Sequence, residues 1–167
     1  MSDQMRAAVE RLQRELGEVR RTEIGAVAPI WARRFAMASG ETDAVFYEDA
    51  AAEAAGFAGT PLPPLLLSST RSWEPGPGRG ELGDDGIVLT DVGYPVGSGL
   101  RTLGGGQALQ FHADALAGVE LVSEAEVKDV RTKEGRSGEL LIVEVERRFL
   151  TADGELLITC DETRLLR

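Results

Sequence analysis

Residues Glu139–Thr151 read Glu-Leu-Leu-Ile-Val-Glu-Val-Glu-Arg-Arg-Phe-Leu-Thr. Leu141, Val143, Val145 and Arg147 alternate with Ile142, Glu144, Glu146 and Arg148, giving one mostly apolar face and one wet face. A period of two is the mark of a half-buried strand. Ala108–Ala113, Val119–Lys133 and Glu155–Arg167 are further extended runs. Lys133-Glu134-Gly135-Arg136-Ser137-Gly138 and Ala152-Asp153-Gly154 are turn sequences of the hairpin kind. The C-terminal third therefore predicts an antiparallel meander.

Upstream the period changes to that of helices. Met5, Val9, Leu12, Leu16 and Val19 form one stripe at three- and four-residue spacing, with Arg and Glu on the remaining surface. This predicts an amphipathic helix over residues 1–22, appended to a domain over 23–167, with Gly17 and Gly25 bracketing its exit. The stripe is too short for the three to four heptads of a coiled coil. Pro29 sits where a second helix starts, Ile30, Trp31, Phe35 and Ala38 give it an apolar face, and Ser39-Gly40 ends it. A short alanine-rich helix is expected over Glu48–Ala55, stopped by Gly56. Pro61, Pro63 and Pro64 then fix a rigid lead-in to a buried helix over Pro64–Trp73. Residues 74–106 are rich in glycine and proline, with a candidate strand at Ile87–Val92 and a flexible turn expected at Gly104-Gly105-Gly106. Those three glycines lack the GxxxxGK[ST] pattern of a phosphate loop. Helices first and a meander after give α+β, with the helices on one face of the sheet.

The 167 residues make one domain with an added helix, long enough to bury about 70% of the unfolded surface without metal or disulfide. The net charge of −10 argues against nucleic acid. The single cysteine, Cys160, forms no intrachain disulfide and reads as a packing thiol in a strand. No apolar run approaches the ~20 residues of a membrane span, and residues 1–21 carry no signal-peptide core. A cytoplasmic chain with no membrane partner is expected. The single histidine, His112, rules out a His–His metal pair within one chain, so no metal site is expected.

A buried helix before long antiparallel strands resembles the hot-dog fold. Ile30–Leu67 (IWARRFAMASGETDAVFYEDAAAEAAGFAGTPLPPLLL) resembles the opening of the MaoC-like dehydratases, in particular their N-terminal, FAS1-like branch. There a helix ends in a small-Gly-acidic turn, an acidic-Ala helix follows, and a Pro-Pro step leads into the central helix. Gln107–Gly118 (QALQFHADALAG) is similar to the branch's aromatic-His strand running into a Gly turn, and 133–167 to its closing hairpins. The resemblance implies an antiparallel sheet wrapped around a central helix. It also implies an enoyl-thioester hydratase or 3-hydroxyacyl-thioester dehydratase acting on CoA or acyl-carrier-protein substrates. Its thioester carrier is CoA or phosphopantetheine, with no metal or redox cofactor. The chain is expected to pair with a second hot-dog subunit, as homodimer or heterodimer.

Active members of that family carry an Asp and a His in the loop matching 40–46. They position a water and move a proton. Here Glu41 stands for the Asp and Phe46 for the His, and Phe46 transfers no proton. Asp114 and Val119 replace the usual Pro and Asp of the strand-turn. His112 matches a strand residue outside the dyad. If the chain is catalytic alone, Glu41 is the base and His112 or Tyr47 the acid. If it is not, a partner supplies Asp and His, and Phe46 suits an acyl-lined wall. Gly40, Asp43, Phe46, Pro63, Pro64 and Leu65 are the expected substrate contacts, with Arg71, Arg79 and Arg101 as candidates for CoA phosphates. Each has a plainer reading: Glu41 and Asp43 as turn acids or caps, Tyr47 and His112 as packing residues, the prolines as architecture, the arginines as surface charge. A non-catalytic acyl-binding subunit and a thioesterase using Glu41 to activate water remain as other readings of the same residues.

Overall fold

A computed structural model gives the structure of the chain and describes residues 2–69, 78–82, 91–95, 97–135 and 138–167. Its order is α1 (Asp3–Arg14), β1 (Arg20–Ala26), α2 (Pro29–Ser39), α3 (Asp49–Ala54), α4 (Leu66–Ser69), β2 (Thr102–Phe111), β3 (Glu120–Gly135), β4 (Gly138–Thr151) and β5 (Leu156–Leu166). The strands form one antiparallel sheet in the order β1-β3-β4-β5-β2.

The alternation read from Glu139–Thr151 is the burial pattern of β4. Leu141, Val143, Val145, Arg147 and Phe149 are buried, while the residues between them are half-exposed. Across the ladder Leu141 faces Leu166, Val143 faces Arg164, Val145 faces Glu162, Arg147 faces Cys160 and Phe149 faces Ile158. This inner face divides into two apolar regions. One holds Leu62, Leu66 and Leu67 against Phe149, Leu157, Ile158 and Cys160. The other holds Met5, Ala8 and Leu12 of α1 against Val127, Leu141, Val143, Val145 and Leu166.

The N-terminal helix is shorter than 1–22. Ser2 caps it through Met5 N–H, it ends at Arg14, and Gly17 follows at φ +75°. The chain then turns into β1, a strand that shows no alternation because it is an edge. It pairs with β3 through its backbone, most of its residues are exposed, and Arg21 meets Glu124 at 2.9 Å. The helix α2 runs as expected from Pro29, with Gly40 closing it at φ +80°. The three glycines at 104–106 are not a flexible turn. They lie inside β2, which begins six residues before the expected Ala108 and takes a bulge between Gly104 and Gly106. The expected helix Pro64–Trp73 is seen as α4 after a turn at Pro63–Leu65, and its residues from Thr70 onward lie outside the described residues. Of the candidate strand Ile87–Val92, only Asp91 and Val92 are described, and they form a turn. Among the described residues no helix is long and apolar enough to cross a membrane.

Candidate functional site

Where β2 ends at Phe111, the chain leaves the sheet edge and passes in front of the Thr60–Pro64 segment. Leu62 N–H donates to the Ala115 carbonyl at 2.7 Å, Ala117 N–H donates to Thr60 at 2.9 Å, and His112 N–H donates to Leu157 at 2.8 Å. The Thr60 hydroxyl donates to Asp49 at 2.6 Å, tying α3 to the same segment. These bonds hold the walls of a cleft of about 340 Å³ lined by Phe46, Phe57, Pro61–Pro64, Leu67, Phe111–Ala115 and Ile158. Three of the chain's five phenylalanines are in this lining. Leu62, Leu67 and Ile158 form a buried apolar floor, and Phe111, 55% exposed, stands at the rim. A concave, largely apolar cleft with few polar groups is the usual form of a small-molecule site.

The expected site residues separate in space. Phe46, His112, Pro63 and Pro64 line the cleft, and Leu65 is the exposed next residue of the proline turn. The Nε2 of His112 lies 3.0 Å from the Thr159 hydroxyl. Glu41 is half-buried but does not line the cleft. Its carbonyl accepts the Tyr47 hydroxyl at 2.7 Å, so Tyr47 acts as a clasp across the 41–47 loop. Asp43 accepts Val45 N–H at 3.1 Å and caps a short 3-10 turn over 44–46, which delivers Phe46 to the cleft. Gly40 serves as the α2 terminator. Arg101 is exposed at the opposite end of β2, where its backbone pairs with Arg167. Arg79 is exposed in a 3-10 turn at 79–81, and Arg71 lies outside the described residues.

Some cleft residues carried no functional reading in the sequence. Phe57 had a legible signal, an aromatic immediately past the Gly56 helix stop. Asp114 stands out in the sequence only as a departure from the family's strand-turn, and Ile158 has no signal. Asp114 reaches the lining because the chain turns after His112, and Ile158 because it lies across from Phe111 in the ladder.

Further along the buried face of β5 that carries Ile158 lies a cluster that no local pattern announces. Arg147 meets Asp91 at 3.1 Å and Glu162 at 3.2 Å. Arg164, 2% exposed, meets both acids at 2.9 Å, donates to the Val92 carbonyl, and lies 4.6 Å from the centre of the Tyr94 ring. Burial by itself lowers the Arg147 pKa. The charges of Asp91 and Glu162 and their hydrogen bonds outweigh that and raise it above the ordinary guanidinium value.

The sheet, helices and cleft define a hot-dog fold with an N-terminal helix, and solved structures share it. The ChsH1–ChsH2 complex of Mycobacterium tuberculosis superposes with a TM-score of 0.71 at 18% identity, over 96% of this chain and 89% of that one. The HadBC (3R)-hydroxyacyl-ACP dehydratase complex of the same organism gives 0.63 at 20% identity, over 92% and 97%. The (R)-hydratase of A. caviae, involved in PHA biosynthesis, gives 0.62 at 21% identity, over 90% and 95%. No curated protein matches. Residues 18–160 match the FAS1-like dehydratase domain region, and the chain belongs to that family.

Proposed function

We propose that this chain is a component of an enoyl-thioester hydratase or 3-hydroxyacyl-thioester dehydratase. It builds the acyl-accommodating side of the site, and a second hot-dog subunit supplies the acid–base pair. The observation that carries this is Phe46: on the cleft wall, at the position where the family resemblance places the dyad's His, stands an aromatic ring that moves no proton. Hydration needs a base to take a proton from water as its oxygen adds to the β-carbon, and an acid to protonate the α-carbon. Phe46 does neither, Glu41 is away from the lining, and the Tyr47 proton is engaged at the Glu41 carbonyl. Phe46, Phe57, Leu62, Leu67 and Ile158 are suited to an acyl group. The carrier is CoA or phosphopantetheine, with no metal or redox cofactor.

The sheet edge supports pairing. Its β2 residues, Thr102–Phe111, include no charged side chain in a chain of net charge −10, whereas the other edge, β1, carries Arg20, Arg21 and Glu23. Charges on an edge block strand addition, and an uncharged edge invites it. Because β2 ends at the cleft, a subunit added there would bring its own residues to the site. Both ChsH1–ChsH2 and HadBC are described as complexes.

A second reading rests on His112 and Asp114, which line the same cleft and make a self-sufficient homodimer chemically feasible. Loss of enoyl-thioester absorbance, followed with the purified chain alone and then with candidate hot-dog partners, decides between them. Activity only with a partner supports the division of labour. Activity of the chain alone, abolished by His112→Ala, overturns it in favour of the second reading. No hydration under either condition removes both.

A further inference from the structure

The outward face of α2 is apolar and basic. At about 100° per residue, Arg33, Met37, Ile30, Arg34, Ala38 and Trp31 follow one another around roughly 160° of the helix. Trp31 is 58% exposed and Met37 73%, with Ile30 exposed beside them. The Arg34 guanidinium lies 5.3 Å from the centre of the Trp31 ring and meets no carboxylate among the described residues. Arg33 lies 3.6 Å from Asp49, the residue that also holds Thr60 at the cleft wall. Residues 24–40 contain no acidic side chain, in a chain of net charge −10. The opposite face of α2 is turned inward. Ala32 belongs to the apolar region that holds Leu62, Leu67 and Ile158, the cleft floor, and Phe35 packs against that region. The outward face therefore stands about one helix diameter, ~10 Å, from it. The helix also lies against the 3-10 turn over 44–46 that delivers Phe46.

Two occupants of this face are disfavoured by the same residues. A two-fold contact with a second copy would set Arg33 and Arg34 against themselves, with no acid on either helix to offset them. A subunit added at β2 joins the far edge of the sheet, because α2 follows β1 and three strands separate β1 from β2. Resting on the acyl-thioester reading above, we propose that this face docks an acidic carrier protein, which delivers the acyl group to the cleft on phosphopantetheine. Trp, Met and Arg are the residues that protein interfaces concentrate. Ile30, Trp31 and Met37 take an apolar ridge of the carrier, and Arg34 takes its carboxylates. A basic patch on an otherwise acidic chain draws an acidic partner to this helix and away from the remaining surface. An extended phosphopantetheine arm is longer than a helix diameter, so the thioester reaches the cleft while the carrier stays outside.

The test is fluorescence anisotropy of a labelled butanoyl acyl carrier protein of type II fatty-acid synthesis, titrated with the purified protein and any subunit that accompanies it. Butanoyl-CoA is titrated in parallel by calorimetry. Carrier affinity should fall about tenfold in Arg34→Glu and in Trp31→Ala, and should fall with added salt. Butanoyl-CoA binding should be the same in all three proteins. Met37→Glu, at a more exposed position, replaces either variant if it does not fold. Carrier binding that the variants leave unchanged overturns the docking, as does binding of butanoyl-CoA without binding of the carrier; both results leave the acyl-thioester reading standing. Binding of neither ligand removes that reading and the docking with it. Attachment to vesicles of phosphatidylcholine and phosphatidylserine in place of the carrier, abolished by the same substitutions, assigns the face to a lipid surface and overturns the proposal.

Discussion

Arg147→Met cuts one member from the buried cluster and takes a cationic partner from both Asp91 and Glu162. The side chains of Arg147 and Glu162 are 9% and 7% exposed, so water does not replace the lost partner. Removing one partner of a buried pair costs about 3–5 kcal/mol, chiefly for stranding the other charge. At about 2–4 °C per kcal/mol for a chain of this size, the melting temperature should fall by roughly 6–20 °C. Glu162→Met should cost a similar amount, because it leaves two guanidinium groups sharing Asp91. The double replacement removes one charge of each sign and puts thioether chains of similar reach in their place. Such exchanges are commonly neutral or stabilising by about 1–4 kcal/mol. The sum of the single effects should therefore exceed the double by several kcal/mol. Thermal unfolding by circular dichroism and a urea titration of the four proteins measure it. A single variant costing under ~1 kcal/mol, or a double equal to the sum of the singles, would refute the reasoning. Because the Arg147 pKa is raised, its contribution is complete below the ordinary guanidinium value and is lost only above it. The Arg147→Met deficit attributable to this group should be the same at neutral and mildly alkaline pH.

Leu12→Ala should cost about 2–5 kcal/mol in urea unfolding, since Leu12 is fully buried against the sheet; a cost near zero would mean that α1 is an accessory and not part of the core. Tyr47→Phe removes the 2.7 Å hydrogen bond to the Glu41 carbonyl and should lower stability by about 0.5–1.5 kcal/mol, with faster proteolysis in the 41–47 loop as the local readout. Gly105→Ala places a Cβ 2.8 Å from Thr163 Cγ2 and 2.9 Å from the Thr163 carbonyl oxygen, so β2 must shift off β5. It should destabilise by roughly 1–3 kcal/mol and weaken subunit pairing in sedimentation velocity; unchanged sedimentation would separate β2 from the pairing surface.

Much of the fold was legible along the chain. Period-two alternation gave β4, and with the turn signals it gave the strands on either side. Pro29 and Gly40 marked both ends of α2, and the proline run marked the approach to α4. These signals are local: a backbone geometry or a one-sided burial imprints itself on consecutive residues. The same holds for Phe46, whose ring type alone removed proton transfer from its position.

What the sequence withheld depends on pairing between distant residues. An edge strand buries little, so Arg20–Ala26 carries no alternation and becomes a strand only because β3 lies beside it. The helix α1 was extended to residue 22 because Leu16 and Val19 continue its stripe, but Leu16 instead bridges to Val127. The glycines at 104–106 look like a turn until Thr163 is placed against Gly105. Charged residues on a strand read as solvent-facing, yet Arg147, Glu162 and Arg164 are buried. Asp91, 56 residues from Arg147 in the chain, neutralises them there. Composition and period by themselves determined the α+β class of fold, and the order of the motifs in 30–67 and 107–118 carried the family resemblance. Only the tertiary structure decided which charges balance in the interior and which residues share the cleft, because both follow from strand register, and no short window of sequence contains a register.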